Sequence, residues 1–176
     1  TTTPETPMTI SMHQASVPLF KRQLGALLNW LDKAEAHAKA RNFDTANYLQ
    51  LRLAPDMLPF VAQIRIASDA AKGCVARLSG CEIPKFEDNE ATLDELRARI
   101  RKTLDYIDSV PAAAFEGGEG RDIVIPMRPR EPVQMTGLFF LQHWALPNFY
   151  FHVTTAYALL RHAGVELGKG DYLAVA

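Results

Sequence analysis

The segment Val133–Leu160, VQMTGLFFLQHWALPNFYFHVTTAYALL, contains no Asp, Glu, Lys or Arg. A stretch of that length could cross a bilayer. Yet it carries Gln134, Gln142, His143, Asn148, His152, Thr154 and Thr155, and such groups are costly in lipid, where no water satisfies them. The segment therefore reads as a buried helix of a water-soluble protein. Thr136 caps it and Gly164 ends it, with Phe149, His152, Val153, Ala156, Leu160 and Ala163 facing the core. Pro147 predicts a kink or break in its first part.

Three more helical stripes precede it. Val17, Phe20, Leu24, Leu27, Leu28, Leu31, Ala34 and Ala38 recur at steps of three and four, predicting a helix from an N-cap at Ser16 to about Arg41. Asn42–Asp44 breaks it, and Asp44 can cap a short helix with Tyr48, Leu49 and Leu51. The second long helix is expected from Pro55 to Gly80, with Met57, Phe60, Val61, Ile64, Ala67, Ala71, Val75 and Leu78 on one face and an Arg65–Asp69 pair outside. The third opens with a capping box, Thr92 to Glu95, and stops at Pro111. The acidic segment Cys81–Ala91 reads as a solvated loop, and Gly117–Gly120 as a flexible turn. Ile123–Ile125 and Val133–Met135 suit a two-stranded ribbon, because Pro126, Pro129 and Pro132 exclude a central strand. Four amphipathic helices joined by loops predict an all-α four-helix bundle with a short ribbon between helices 3 and 4.

Composition narrows the function classes. The chain has 176 residues, enough to bury roughly 70% of its unfolded surface in one domain. Lys and Arg number 19 against 20 Asp and Glu, so no basic surplus grips a phosphate backbone, and nucleic acid is not an expected partner. Thr1–Pro7 lack the basic start and apolar stretch of a signal peptide; Met8 as the native start and Thr1–Pro7 as an added tail both stay open. Residues 1–11 are read as a flexible tail and 12–176 as one domain. Cys74 and Cys81, seven residues apart, match no metal or redox spacing and read as one core and one surface thiol of a cytoplasmic protein.

Histidine carries what chemistry the sequence offers. His13, His37 and His162 read as structural or neutral, whereas His143 and His152 fall in the uncharged segment. A buried imidazole needs polar partners. Asn148 lies four residues before His152 and shares its helix face. Gln63 borders the apolar stripe of the second helix, and Asp56 lies seven residues before it on the same edge. Helical phase thus predicts a cluster of Asp56, Gln63, Asn148 and His152. The equal alternative is a satisfied core histidine.

Leu53-Ala54-Pro55-Asp56-Met57, Lys85-Phe86-Glu87-Asp88 and Leu146-Pro147-Asn148-Phe149-Tyr150-Phe151-His152-Val153-Thr154-Thr155-Ala156-Tyr157 resemble a family of unknown function within the DinB/YfiT-like superfamily of metalloenzymes. The resemblance spans roughly Met12 to Leu173. It implies an up-down-down-up bundle, frequently dimeric, and relatives that include thiol-dependent isomerases and thiol S-transferases. It also implies a metal held by one His on the second helix and an H-x-x-x-H pair on the last. Only His152 matches; Asn148 stands for its partner and Gln63 for the helix-2 His. Amides bind transition metals poorly, so the expectation is a degenerate site with no metal cofactor, His152 being the ligand if a divalent metal binds. His143 could replace a ligand if Pro147 swings the helix inward. The leading reading is a cytoplasmic homodimer that binds a small molecule in a polar-lined cavity at His152, Asn148, Gln63, Asp56 and His143, without nucleic-acid or membrane partners. The alternatives are a metal- or thiol-dependent transferase or isomerase using His152, and a dimerisation module without a site.

Overall fold

The computed structural model describes residues 9–175. It is mainly helical, with one two-stranded antiparallel ribbon. Most of the tail expected at residues 1–11 lies outside the described residues, and Met12 is already buried in the core.

Helix α1 spans Val17–Arg41. Ser16 does not cap it: its hydroxyl donates to the Met12 carbonyl at 2.6 Å. Pro18 has no N–H to offer and the Leu19 N–H reaches the Ser16 carbonyl at 3.1 Å, so no donor of the first turn is left for the hydroxyl to cap. Asn42, in the left-handed region at φ 55°, closes the other end. The N-cap of the short α2, Ala46–Leu49, is Thr45 and not the expected Asp44, whose carboxylate one residue earlier accepts from the Ala46 N–H at 2.8 Å.

The second long helix, α3, spans Phe60–Ser79 and not the expected Pro55–Gly80. Pro59 sets the boundary, because its ring disfavours helical backbone at Leu58. Residues 54–57 instead form a turn, with the Met57 N–H on the Ala54 carbonyl. Gly80, at φ 73°, terminates α3 in the left-handed conformation that glycine adopts without cost. Helix α4 spans Leu93–Ser109 behind a complete capping box.

The crossover between α3 and α4 is not simply solvated. Glu90 is almost buried and binds Arg65 of α3 at 2.6 Å and Arg99 of α4 at 2.8 Å. Asp69 also binds Arg99, at 2.9 Å, so the expected Arg65–Asp69 pair is replaced by contacts that tie three segments together. Phe86 packs between the ammonium groups of Lys72 and Lys102, 4.6 and 4.2 Å from its centroid.

After two 3₁₀ turns, strands β1 (Asp122–Met127) and β2 (Arg130–Thr136) pair with Ile123 opposite Met135 and Ile125 opposite Val133. Ile123 and Ile125 face inward and Val124 outward. Within the glycine turn, Gly118 is closely packed. A Cβ on Gly118 would sit 2.7 Å from the Leu78 carbonyl oxygen, and one on Gly137 only 1.8 Å from that of Gly118.

The uncharged segment continues as α5 (Gly137–Phe140), a π-helical turn (Leu141–Ala145) and α6 (Leu146–His162). Pro147 causes no break. It falls in the first turn of α6, and the wider π turn before it accommodates its missing N–H and bulky ring. Thr136 precedes α5 without a side-chain cap. The short α7, Lys169–Leu173, folds back on α1, where Tyr172 stacks on Trp30 and the Trp30 N–H donates to the Asp171 carbonyl at 3.2 Å.

Helix α1 packs on α4 and α6, and α3 packs on the other side of the same two helices. Lys21 binds Asp108, and Arg97 binds Asp32 and Glu35. Phe20 meets Phe149 and Trp30 meets Tyr157 edge to face. Among the described residues no helix is long and apolar enough to cross a membrane.

Candidate functional site

Gln63 and His152 come together between α3 and α6. His152 Nδ1 lies 2.7 Å from Gln63 Oε1 in a buried contact. The amide's other end, Nε2, donates to the Leu58 carbonyl at 2.9 Å. A backbone carbonyl accepts only, so the amide is oriented with Nε2 on Leu58 and Oε1 toward the ring. His152 Nδ1 must then be the donor. In the neutral ring this leaves a lone pair on Nε2. That atom is not sealed from solvent and has no protein partner among the described residues. Burial lowers the pKa of His152, which favours this neutral form. The start of α3 at Pro59 creates the arrangement: it places the Leu58 carbonyl just outside α3, within reach of Gln63.

The other expected members are elsewhere. Asp56 is exposed in the turn before α3. Its assignment to the cluster assumed a helix running through Pro59, and without that helix the seven-residue phase has no meaning. His143 is exposed within the π turn, its ring 4.4 Å from that of Phe139. The uninterrupted passage past Pro147 removes the inward swing that would have carried it to His152. Asn148 is half-buried, one helical turn from His152 or about 6 Å along the axis. It makes no hydrogen bond to the ring and faces a neighbouring cleft instead.

That cleft, of about 190 Å³, lies between α3, the α5–α6 segment and β1. Ile66, Asp69, Arg77, Phe140, Trp144 and Asn148 line it. Nothing in the local sequence around Arg77, Phe140 or Trp144 marks a cleft, apart from Gly73 in the interior of α3, four residues before Arg77.

The residues present do not fit the metal that the superfamily resemblance implies. Gln63 spends both ends of its amide on His152 and Leu58. His152 is the single imidazole at the site, whereas zinc takes three or four protein ligands. Among the described residues no group of three or more His, Cys, Asp or Glu side chains could hold a metal ion.

Comparison with known proteins agrees with the motif reading. A family model described as "Domain of unknown function (DUF1993)" matches residues 12–173. The chain belongs to this family. It is also similar to a solved structure, the crystal structure of a DinB family member protein from Shewanella denitrificans. The two share 41% identity over 92% of this chain and 91% of that one, with a TM-score of 0.86. The chain is therefore DinB-like. No match was found among curated proteins.

Proposed function

We propose that this DinB-like protein binds a small molecule, without a transition metal, in the groove between α3 and α6. The observation that carries this reading is the Gln63–His152 hydrogen bond. It turns the position of a second-helix ligand into a support for the imidazole, and it leaves His152 Nε2 as an acceptor for a hydroxyl, thiol or N–H of the ligand. The half-buried amide of Asn148 supplies a donor and an acceptor one turn away.

A second reading has one observation in its favour. A neutral imidazole with a free Nε2 can also take a proton from a bound thiol or hydroxyl, which suits a thiol-dependent transferase using His152 as its base.

The proposed architecture is a four-helix bundle of up-down-down-up order. The pairings Lys21–Asp108 and Asp32–Arg97 support antiparallel α1 and α4. Gln63–His152 and Arg77–Phe140 support antiparallel α3 and α6. Phe20–Phe149 with Trp30–Tyr157 supports parallel α1 and α6. A homodimer is proposed on the exposed Leu138, Phe139 and Phe151 of the charge-free segment, and a cytoplasmic location on the free, exposed Cys81.

The test is a nitrogen-detected screen of the labelled protein with low-mass alcohols, phenols, thiols and carboxylates. At least one class is expected to move the His152 ring and Asn148 amide signals, with weaker binding in His152→Ala. If no class moves them, the groove is not a binding site.

A further inference from the structure

We propose that the cleft beside Asn148 takes a small organic carboxylate, with the Arg77 guanidinium as its anion subsite. This rests on reading the α3–α6 groove as a ligand site and adds the chemical class of the ligand.

Arg77 differs from Arg65, Arg97 and Arg99. Arg97 binds Asp32, Glu35 and Asp94, Arg99 binds Asp69, Asp88 and Glu90, and Arg65 binds Glu90. Arg77 is half-buried in the cleft wall, and among the described residues no carboxylate pairs with it. Its Nη1 donates to the Gly73 carbonyl at 3.1 Å, and its guanidinium lies 5.9 Å from the Phe140 centroid. Burial lowers its pKa, the sign of a cation with too little solvent or counter-charge around it. Asp69 lines the same cleft, but its Oδ1 is held by both Lys72 and Arg99. Arg77 is therefore the one charged group of the cleft lining without an ion-pair partner among the described residues.

The backbone makes room for that charge. A Cβ on Gly73 would lie 2.6 Å from Arg77 Nη1. Glycine inside a helix costs about 1 kcal/mol relative to alanine, and here the absent side chain is the space the guanidinium occupies. In the same lining, the Trp144 indole N–H and the Asn148 amide have no protein hydrogen-bond partners among the described residues. Ile66, Ile125 and Phe140 offer an apolar wall. One guanidinium, two neutral donors and an apolar wall in about 190 Å³ suit a monoanion with a short hydrocarbon body. A phosphate monoester would bring a second charge with no cation to meet it.

The experiment titrates the nitrogen-labelled protein with acetate, propionate, butyrate and benzoate, and with the primary amides of the same acids as uncharged counterparts. The readouts are the Trp144 indole and Asn148 amide signals. Carboxylates are expected to bind at least about tenfold more tightly than the amides, because charge-assisted hydrogen bonds are the stronger ones. Arg77→Gln is expected to remove that preference. The same spectra establish that the variant is folded. Equal binding of acids and amides, or an Arg77→Gln variant that binds carboxylates like wild type, overturns the carboxylate assignment and leaves the groove reading standing. If no acid or amide moves Trp144 or Asn148, the assignment fails; if His152 is also unmoved by every class of the wider screen, the groove reading fails with it.

Discussion

His152 is held on one side only. Gln63 fixes its Nδ1–H, the Leu58 carbonyl fixes Gln63, and Nε2 has no hydrogen-bond partner among the described residues. Its pKa is lowered by burial from an ordinary value of about 6.5. Unfolding restores that value, so between the folded and unfolded values the unfolded chain binds more protons. The stability contributed by the neutral ring is complete above about pH 6.5 and is lost as pH falls from there through the folded value. A nitrogen-detected titration of the ring is expected to show the Nδ1–H tautomer and a midpoint below that of free imidazole side chains. Gln63→Leu removes the acceptor and leaves a buried donor unpaired, at an expected cost of about 1–3 kcal/mol in urea denaturation. A ring that titrates at or above the ordinary value, or that carries its proton on Nε2, would contradict this picture.

At the scale of elements, the tightest junction joins the end of α3, the glycine turn and the start of α5. The ideal Cβ of Gly137 falls 1.8 Å from the Gly118 carbonyl oxygen, which is backbone and cannot rotate aside. Gly137→Ala is expected to cost about 3 kcal/mol or more through overpacking, read as a lower urea midpoint at unchanged slope. A midpoint equal to wild type would mean that the junction yields. This contact was invisible in the sequence, where a run of glycines reads as freedom, because close approach depends on what the chain brings alongside. The long helices were legible because each has an apolar stripe of helical period and a local stop signal such as Gly80 or Pro111. The start of α3 was misplaced because Pro55 and Pro59 both qualify as a first-turn proline, and only the turn at 54–57 separates them. The Gln63–His152 contact could be read from helical phase since both residues lie within unbroken helix. Asp56 could not, because the phase was counted across Pro59. The α7 turn spans too few residues to show a period, and the Arg77–Gly73 arrangement needs the facing wall from α5 and α6 to give it meaning.

Over the whole molecule, charge and chemistry are segregated. Paired arginines and carboxylates tie α4 to α1, α3 and the crossover on one side. The charge-free segment closes the other side, against α3 and β1, where Asn148, Trp144 and Arg77 line one cleft and His152 lies one helical turn from Asn148. A protein of this superfamily resemblance would ordinarily be expected to place three imidazoles in such a groove. Here Gln63 and Asn148 replace two of them, and amide oxygens are poor ligands for zinc or nickel. The most direct measurement is elemental analysis of the protein purified untagged and without immobilised-metal chromatography, beside His152→Ala. The expected result is well under one equivalent of transition metal in both. Close to one metal per chain in wild type, lost in His152→Ala, would contradict the metal-free groove and give the lead to a metalloenzyme.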